Sequence, residues 1–276
     1  MAGPPVGSLG GVRGRTVTTL THRFRDGALA RAPDALIVEE PLAVDLDGTL
    51  VATTMRTPGH DFELAVGLCF TDGLLAGAPV LACRYCGTGS AVDTEFNAVS
   101  VETGGRAPTP TPRLTPTSSS CGLCGSTTLD ELTERLAPLP VTGLFSAELL
   151  LEAAAKATVD QELFAATGAV HAAAAFDRDG TTRLVREDIG RHNAVDKVVG
   201  HLFLEGALPA TGFGLFVSGR ASFEIVQKAW AAGFAAVVAV SAPSALAVDT
   251  ARAAGLQLAG FARDGQLNLY APEELP

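Results

Sequence analysis

A chain of 276 residues is long enough to bury a full core, as one large domain or two small ones. With 47% apolar and 18% charged residues it is globular, which excludes wholesale disorder. Its net charge of -10, from 30 acidic and 20 basic residues, excludes a sequence-blind nucleic-acid binder but leaves room for a small anion in a locally basic pocket.

The opening Met1-Ala-Gly-Pro-Pro-Val-Gly7 lacks the basic start and apolar run of a signal peptide. The most apolar stretch, Phe234 to Ser241, is far too short to span a bilayer. A cytoplasmic chain with no membrane partner is therefore expected. Small thiols keep cysteines reduced there, so paired cysteines lean towards metal, redox or thiol chemistry.

Residues 1–15, with five Gly and two Pro, read as a loose N-terminal arm. From Ala35 to Thr57 the pattern turns to β: Leu36-Ile-Val38, Leu42-Ala-Val44 and Leu50-Val-Ala52, with Asp47-Gly48 as a turn. Asp61 to Leu75 reads as a helix, with Phe62, Ala65, Val66, Cys69 and Phe70 on one face. Val99 to Val101 ends a further strand, closing a β-rich subregion over 16–102. The Pro/Thr/Ser-rich run from Thr103 to Ser120 cannot bury itself and reads as a mobile loop, 103–125, that bears the pair Cys121 and Cys124.

An α/β core over 126–276 follows. Thr128 with Glu131 makes a capping box, backed by Leu129, Leu132 and Leu136. A second helix is expected from Ala147 to Ala166. Strands at 214–217, 235–240, 256–261 and 267–270 alternate with helices at 222–232 and 244–254, as a mostly parallel sheet requires. Phe223, Val226 and Trp230 share one helix face and read as core.

Cysteine reacts as the thiolate, and the start of a helix lowers a thiol pKa through its partial positive charge. Cys121 and Cys124 precede the capping box, and Gly122 and Gly125 clear space for a partner to approach the sulfur. Thiol chemistry is one reading. A structural disulfide does not suit the cytosol. A thioredoxin-like pair normally follows a strand, and here a loop precedes it. Zinc is the serious rival, because Cys83-Arg-Tyr-Cys86 and Cys121-Gly-Leu-Cys124 form two Cys-x-x-Cys units, although the 34-residue gap exceeds the usual one. Spacing alone does not decide between them.

Three segments read as anion-binding. Arg186 to Asn193, containing Arg191 and His192, precedes a helix over 194–204. Ser218-Gly219-Arg220-Ala221-Ser222 joins a strand to a helix, and Ser241-Ala-Pro-Ser244 occupies the equivalent place after the next strand. Such turns present backbone donors and a helix N-terminus to a ligand at the carboxyl ends of strands, although most of them only cap helices. From Arg183 to Lys228 six basic residues face five acidic ones, so this stretch is near +1. His192 suits proton transfer or a plain hydrogen bond, whereas His171, in an apolar run, reads as core.

Arg186 to Lys197, Ser218 to Lys228, Val240 to Ser244 and Cys121 to Gly125 together resemble the formate dehydrogenase accessory sulfurtransferase family, in order from about Glu39 to Tyr270. The resemblance implies a cytidine-deaminase-like mixed sheet flanked by helices, in a homodimer. It implies a carrier that takes persulfide sulfur from a cysteine desulfurase and passes it to the molybdenum cofactor, bis-molybdopterin guanine dinucleotide, for the client formate dehydrogenase. The cofactor is then a bound substrate, with no permanent cofactor and no metal site. The family's essential cysteines fall on Cys121 and Cys124, the first as persulfide carrier. Its guanine-dinucleotide contacts fall on Phe261-Ala262-Arg263-Asp264-Gly265-Gln266. Deaminase chemistry is not expected, since no His-x-Glu or Pro-Cys-x-x-Cys is present. A second Cys-x-x-Cys is not a family trait, and Ser126 stands where Lys is common. A zinc-stapled, cofactor-binding chaperone therefore remains the alternative.

Overall fold

The computed structural model describes residues 14–86, 95–110, 129–140 and 143–273. Strands β1 (Thr16–Arg25) and β2 (Ala28–Ile37) form a two-stranded antiparallel ribbon. Strands β3 (Glu40–Leu46), β4 (Thr49–Arg56), β5 (Ala82–Tyr85) and β6 (Ala98–Glu102) form a mixed sheet in the order β4-β3-β6-β5. The β3–β4 connection is the expected Asp47-Gly48 turn, with both residues at positive φ (47° and 83°), as a two-residue hairpin demands. Helix α1 (Asp61–Thr71) packs Leu64, Ala65, Val66 and Cys69 against Leu42, Val44, Leu46, Val99 and Val101. It stops four residues before the expected end. Gly73 takes a left-handed φ of 77° and Leu74 N–H bonds back to Cys69 O, which closes the helix.

After α2 (Leu129–Arg135) the expected helix over 147–166 is two: α3 (Ala147–Val159) and α4 (Glu162–Thr167). Ser146 caps α3 by accepting from Leu149 N–H. The break has a tertiary cause. Glu187 accepts from Leu163 N–H at 2.9 Å and Phe164 N–H at 2.8 Å, so a second N-terminus is satisfied within a periodic run.

The remaining elements are β7 (His171–Phe176), β8 (Thr182–Asp188), α5 (Arg191–Leu204), β9 (Gly214–Val217), α6 (Phe223–Ala232), β10 (Ala236–Ala239), α7 (Ala245–Ala254), β11 (Gln257–Arg263) and β12 (Gln266–Ala271). Their sheet runs β12-β11-β10-β9-β7-β8, with β9, β10 and β11 parallel and the other pairings antiparallel. The fold is thus α/β, with mixed sheets flanked by helices. Alternation along each strand divides the core. Leu215, Val217, Val237, Ala239 and Leu258 meet α5, α6 and α7, whereas Phe216, Ala236, Val238 and Ala259 meet α3. Phe223, Val226 and Trp230 are in the core as expected. One face of the six-stranded sheet is covered by three helices and the other by a single long one.

Helices α1 and α5 join the two sheets through paired glycines. A Cβ on Gly67 would lie 1.9 Å from Asp196 O, and one on Gly200 would lie 1.8 Å from Glu63 O. Only glycine permits so close a backbone approach.

Candidate functional site: a cavity at the carboxyl ends of the parallel strands

The parallel strands β9, β10 and β11 end side by side, and the chain leaving each is tied to the next. Ser241 N–H donates to Gly219 O at 3.3 Å, Phe261 N–H to Ser241 O at 3.2 Å, and Ser244 N–H to Ala221 O at 3.0 Å. Antiparallel β7 starts at this same edge, so His171 arrives beside Ser218. There Ser218 N–H donates to Ala172 O, and Ser218 Oγ accepts from Ala172 N–H, both at 2.9 Å. Among the described residues nothing accepts the hydroxyl proton of Ser218.

On the α3 face this edge opens into a cavity of about 920 Å³. Small residues make the room: Ala154, Ala155, Gly168, Ala169, Ala262 and Gly265 all line it, with Leu151, Thr158, Phe164, His171, Ser218, Arg263 and Asp264. The volume suits a ligand of nucleotide size or larger.

The β11–β12 hairpin forms one wall and is held under backbone strain. Phe261 and Asp264 have φ of 54° and 52°, a region side-chain-bearing residues rarely adopt. The register slips between Gly260 and Arg263, leaving Phe261 and Ala262 without ladder partners in a bulge. A Cβ on Gly260 would meet Pro243 Cδ at 2.9 Å, so glycine lets this bulge press against the Ser241 turn.

The sequence-derived residues therefore divide. Ser218, Ala262, Arg263, Asp264 and Gly265 line the cavity. Gly219 lies between the His171 ring and the Arg191 stem, which a Cβ there would approach at 3.5 and 3.7 Å. Arg191 Nε is buried without a hydrogen-bond partner, and Arg220 is exposed at the same turn. Ser222 heads α6 without accepting a side-chain cap bond, and α5 likewise begins at Gly190 with no side-chain cap. Ser241 acts through its backbone, and Phe261 and Gln266 shape the hairpin beside the cavity.

His192 is committed elsewhere: its Nε2 is 2.8 Å from Glu224 Oε2 and 3.4 Å from Ser222 Oγ. Burial works to raise the Glu224 carboxyl, but the hydrogen bond and charge of His192 outweigh it and hold the group below its ordinary value. His171, read from sequence as core, is instead half-buried on the cavity wall. Burial first, then the charge of Arg191, lower its pKa, so a neutral imidazole stands beside cations that it does not repel. No sequence signal separates His171 from an ordinary strand residue.

Most of the segment from Arg186 to Asn193 holds the protein together and does not reach the cavity. Arg186 grips Glu63 through Nε (2.5 Å) and Nη2 (2.7 Å), and Glu187 caps α4. Asp188 pairs with buried Lys197 at 2.7 Å and accepts from Thr57 N–H, Gly190 N–H and Asn193 Nδ2.

Cys121 and Cys124, with the capping residue Thr128 and the loop over 111–120, lie outside the described residues. The other Cys-x-x-Cys begins in extended chain. Cys83 is on β5, its side chain packed with the Leu64 and Val99 core, and burial followed by the charge of Glu102 pushes its thiol up to about 11. Cys86 follows the last residue of β5, where its N–H donates to Arg84 O at 3.2 Å. Among the described residues no group of three or more His, Cys, Asp or Glu is placed to hold a metal. None of their helices is long and apolar enough to cross a membrane.

Comparison with known proteins follows the same residues. The sequence profile of the FdhD/NarQ family matches residues 37–275. This chain belongs to the FdhD/NarQ family. The sulfur carrier protein FdhD of Streptomyces coelicolor is 47% identical over 259 residues, covering 90% of this chain and 91% of that one. The sulfur carrier protein FdhD of Corynebacterium efficiens is 42% identical over 280 residues, covering 94% and 95%. In fold, the chain is similar to a crystal structure from Desulfotalea psychrophila whose protein is assigned as a formate dehydrogenase accessory protein. That match has a TM-score of 0.73 at 23% identity, and covers 94% of this chain and 99% of that one.

Proposed function

We propose that this FdhD/NarQ family member is a cytoplasmic sulfur carrier for formate dehydrogenase, handling bis-molybdopterin guanine dinucleotide as bound substrate in the cavity below β9–β11. The observation that carries the cavity's part is its chemistry. One wall supplies Ser218 and Arg263, and the other supplies an apolar slot from α3 and α4; the starts of α5 and α6, without side-chain caps, lie beyond that lining at the same edge of the sheet. Phosphates suit the first wall and a planar base the second. Asp264 offers a carboxylate that accepts from the N–H groups of a guanine edge.

The sulfur step belongs to Cys121. Its thiolate attacks the outer sulfur of a cysteine desulfurase persulfide. A new S–S bond forms on Cys121, the donor's S–S bond breaks, and the donor cysteine leaves as a thiolate. Attack by the Cys124 thiolate on the inner sulfur then forms a Cys121–Cys124 disulfide and releases hydrosulfide towards the cofactor. A cellular dithiol returns the pair to thiols. Helix α2, five residues after Cys124, docks Leu132 into the core on the face opposite the cavity. We therefore assign loading and delivery to separate places on the protein.

Two readouts test this reading. Intact-mass analysis after incubation with a cysteine desulfurase and cysteine is expected to show one added sulfur, absent in Cys121→Ala. Titration with GDP is expected to show binding retained in Cys121→Ala and weakened about tenfold or more in Arg263→Ala, the loss of one charge-assisted hydrogen bond. A chain that gains no sulfur, or a Cys121→Ala variant that no longer binds GDP, defeats the division of labour.

A further inference from the structure

At one corner of the cavity, polar groups gather that the fold does not answer. The His171 imidazole, half-buried on the wall, makes no hydrogen bond to another described residue. Ser218 beside it keeps a hydroxyl proton that none of the described residues accepts. Arg191 Nε is buried without a hydrogen-bond partner, and Arg220 is exposed at the same turn. These groups stand close together. A Cβ on Gly219 would lie 3.5 Å from His171 Nδ1 and 3.7 Å from Arg191 Cδ, so the ring and the arginine stem flank one backbone position. A buried donor left unpaired is costly, and folding alone does not recover that cost here.

The carboxylates around this corner are engaged elsewhere. Asp188, opposite His171 in the β7–β8 ladder, is held by Lys197 at 2.7 Å and by the N–H groups of Thr57, Gly190 and Asn193. Glu224 is taken by His192 at 2.8 Å, and Glu152, on the α3 wall, by Lys156 at 2.9 Å. Arg263 and Asp264 face the same cavity from the β11–β12 hairpin. Burial first, then Arg191 and His192, with Arg220, keep the His171 imidazole neutral against the pull of Asp188. An anion arriving in this corner offsets the arginine charges and reverses that balance.

We propose that His171 receives a phosphate group of the bound ligand and takes up one proton from solvent as that phosphate arrives, so that the cavity selects its ligand by charge. The inference rests on the reading of the cavity as the site of a nucleotide-bearing ligand, and adds the residue that senses the phosphate. Empty, the corner holds a neutral imidazole, which adds no further positive charge beside Arg191 and Arg220. Occupied, the imidazole carries a proton on both ring nitrogens and donates to a phosphate oxygen in a charge-assisted bond. No bond to phosphorus forms or breaks. A nucleoside without phosphate brings no charge to offset the arginines and leaves His171 as it was. Because the complex binds one more proton than the empty protein, affinity rises as pH falls. The gain is complete below the His171 pKa of the empty protein, which lies under its ordinary value, and is lost as pH rises through that of the complex.

The test follows the ring signal of His171, one of five histidines, by NMR pH titration of the full wild-type chain. With saturating GDP the proton affinity of His171 is expected to rise about tenfold or more, and with guanosine to stay as it is in the empty protein. Affinity supplies a second readout. The ratio of wild-type to His171→Gln affinity for GDP is expected to grow at least about fivefold from about pH 8 to about pH 5.5, a ratio in which the titration of GDP itself cancels. The NMR titration uses the wild type alone, so it decides the matter even where the variant does not fold. GDP that binds and leaves His171 unmoved overturns the proposal and leaves the cavity reading standing. An equal rise with guanosine also overturns it, since phosphate is then not what His171 meets. Failure of GDP to bind at any pH overturns the cavity reading, and this inference with it.

Discussion

The seam between α1 and α5 and the rim of the cavity are both built from the charged strings that stand out in this chain, and they use those residues in opposite ways. At the seam each charge is answered at short range: Lys197 by Asp188 at 2.7 Å, Lys228 by Asp196 at 2.9 Å, and Arg56 by Asp61 at 3.0 Å. At the rim, Arg191 Nε has no partner, and two helix starts lack side-chain caps. A dense charged string is therefore not a binding site in itself. What marks one is a donor that folding leaves unanswered next to a cavity.

The largest test of this contrast is steric. Gly200→Val forces carbon into the Glu63 carbonyl, with no flexible side chain to yield, so the α1–α5 seam must part. The variant is expected to be insoluble, or destabilised by more than about 4 kcal/mol in urea denaturation. Next comes Lys197→Met, which strands the Asp188 carboxylate in the interior. A loss of about 3–5 kcal/mol is expected, from breaking a fully buried pair. A near-neutral result in either case would mean that the seam is looser than its geometry, and the contrast with the rim would weaken.

How much of this was legible beforehand follows the same division. Strands β9, β10, β11 and β12 and helices α6 and α7 are each visible as short apolar runs between turn residues, because their buried faces are local patterns. Strand β7 is not: its Ala172-Ala-Ala-Ala175 run has the composition of a helix, and only pairing with β8 and β9 makes it a strand. The ribbon falls inside the β-rich subregion read from sequence, but apart from the strand at 36–38 its two strands carry no pattern that reports them, because Thr16–Arg25 and Ala28–Ile37 are mostly exposed. The break between α3 and α4 depends on Glu187, more than twenty residues away, so no local pattern reports it. At the site, Ser218 and the 261–266 hairpin were readable as turns, whereas His171 and the α3 wall are brought there only by tertiary packing.

A smaller effect, with a pH signature, probes the seam's edge. Burial works to raise the Glu63 carboxyl, but the hydrogen bonds of Arg186 and His60, with their charges, outweigh it and hold the group far below the ordinary carboxylate range. A depressed folded-state pKa stabilises the protein fully above the unfolded value near 4.3, and that stabilisation fades as pH falls below it. Glu63→Gln is therefore expected to cost about 1–3 kcal/mol at pH 7, from one charge-assisted pair, and progressively less below about pH 4. Thermal melts of both proteins from pH 3 to 7 check this, and parallel curves would show that Glu63 is not charged by its partners.

The smallest stability effect is expected at the rim, where it carries most meaning. Arg220 sits in the Ser218–Ser222 turn, exposed, with no hydrogen bond or ion pair to another described residue. Removing an unengaged surface cation leaves nothing buried and unpaired, so Arg220→Ala is expected to change stability by less than about 0.5 kcal/mol. Its charge also helps to hold His171 neutral, so the His171 pKa, followed by NMR, is expected to rise in the variant. If Arg220 answers a ligand phosphate, GDP affinity falls about tenfold in the same protein. Stability held while affinity falls would separate the rim from the seam by function as well as by geometry. If stability and affinity fell together, Arg220 would belong with the residues that hold the fold, and the open donors beside it would lose their standing as a binding site.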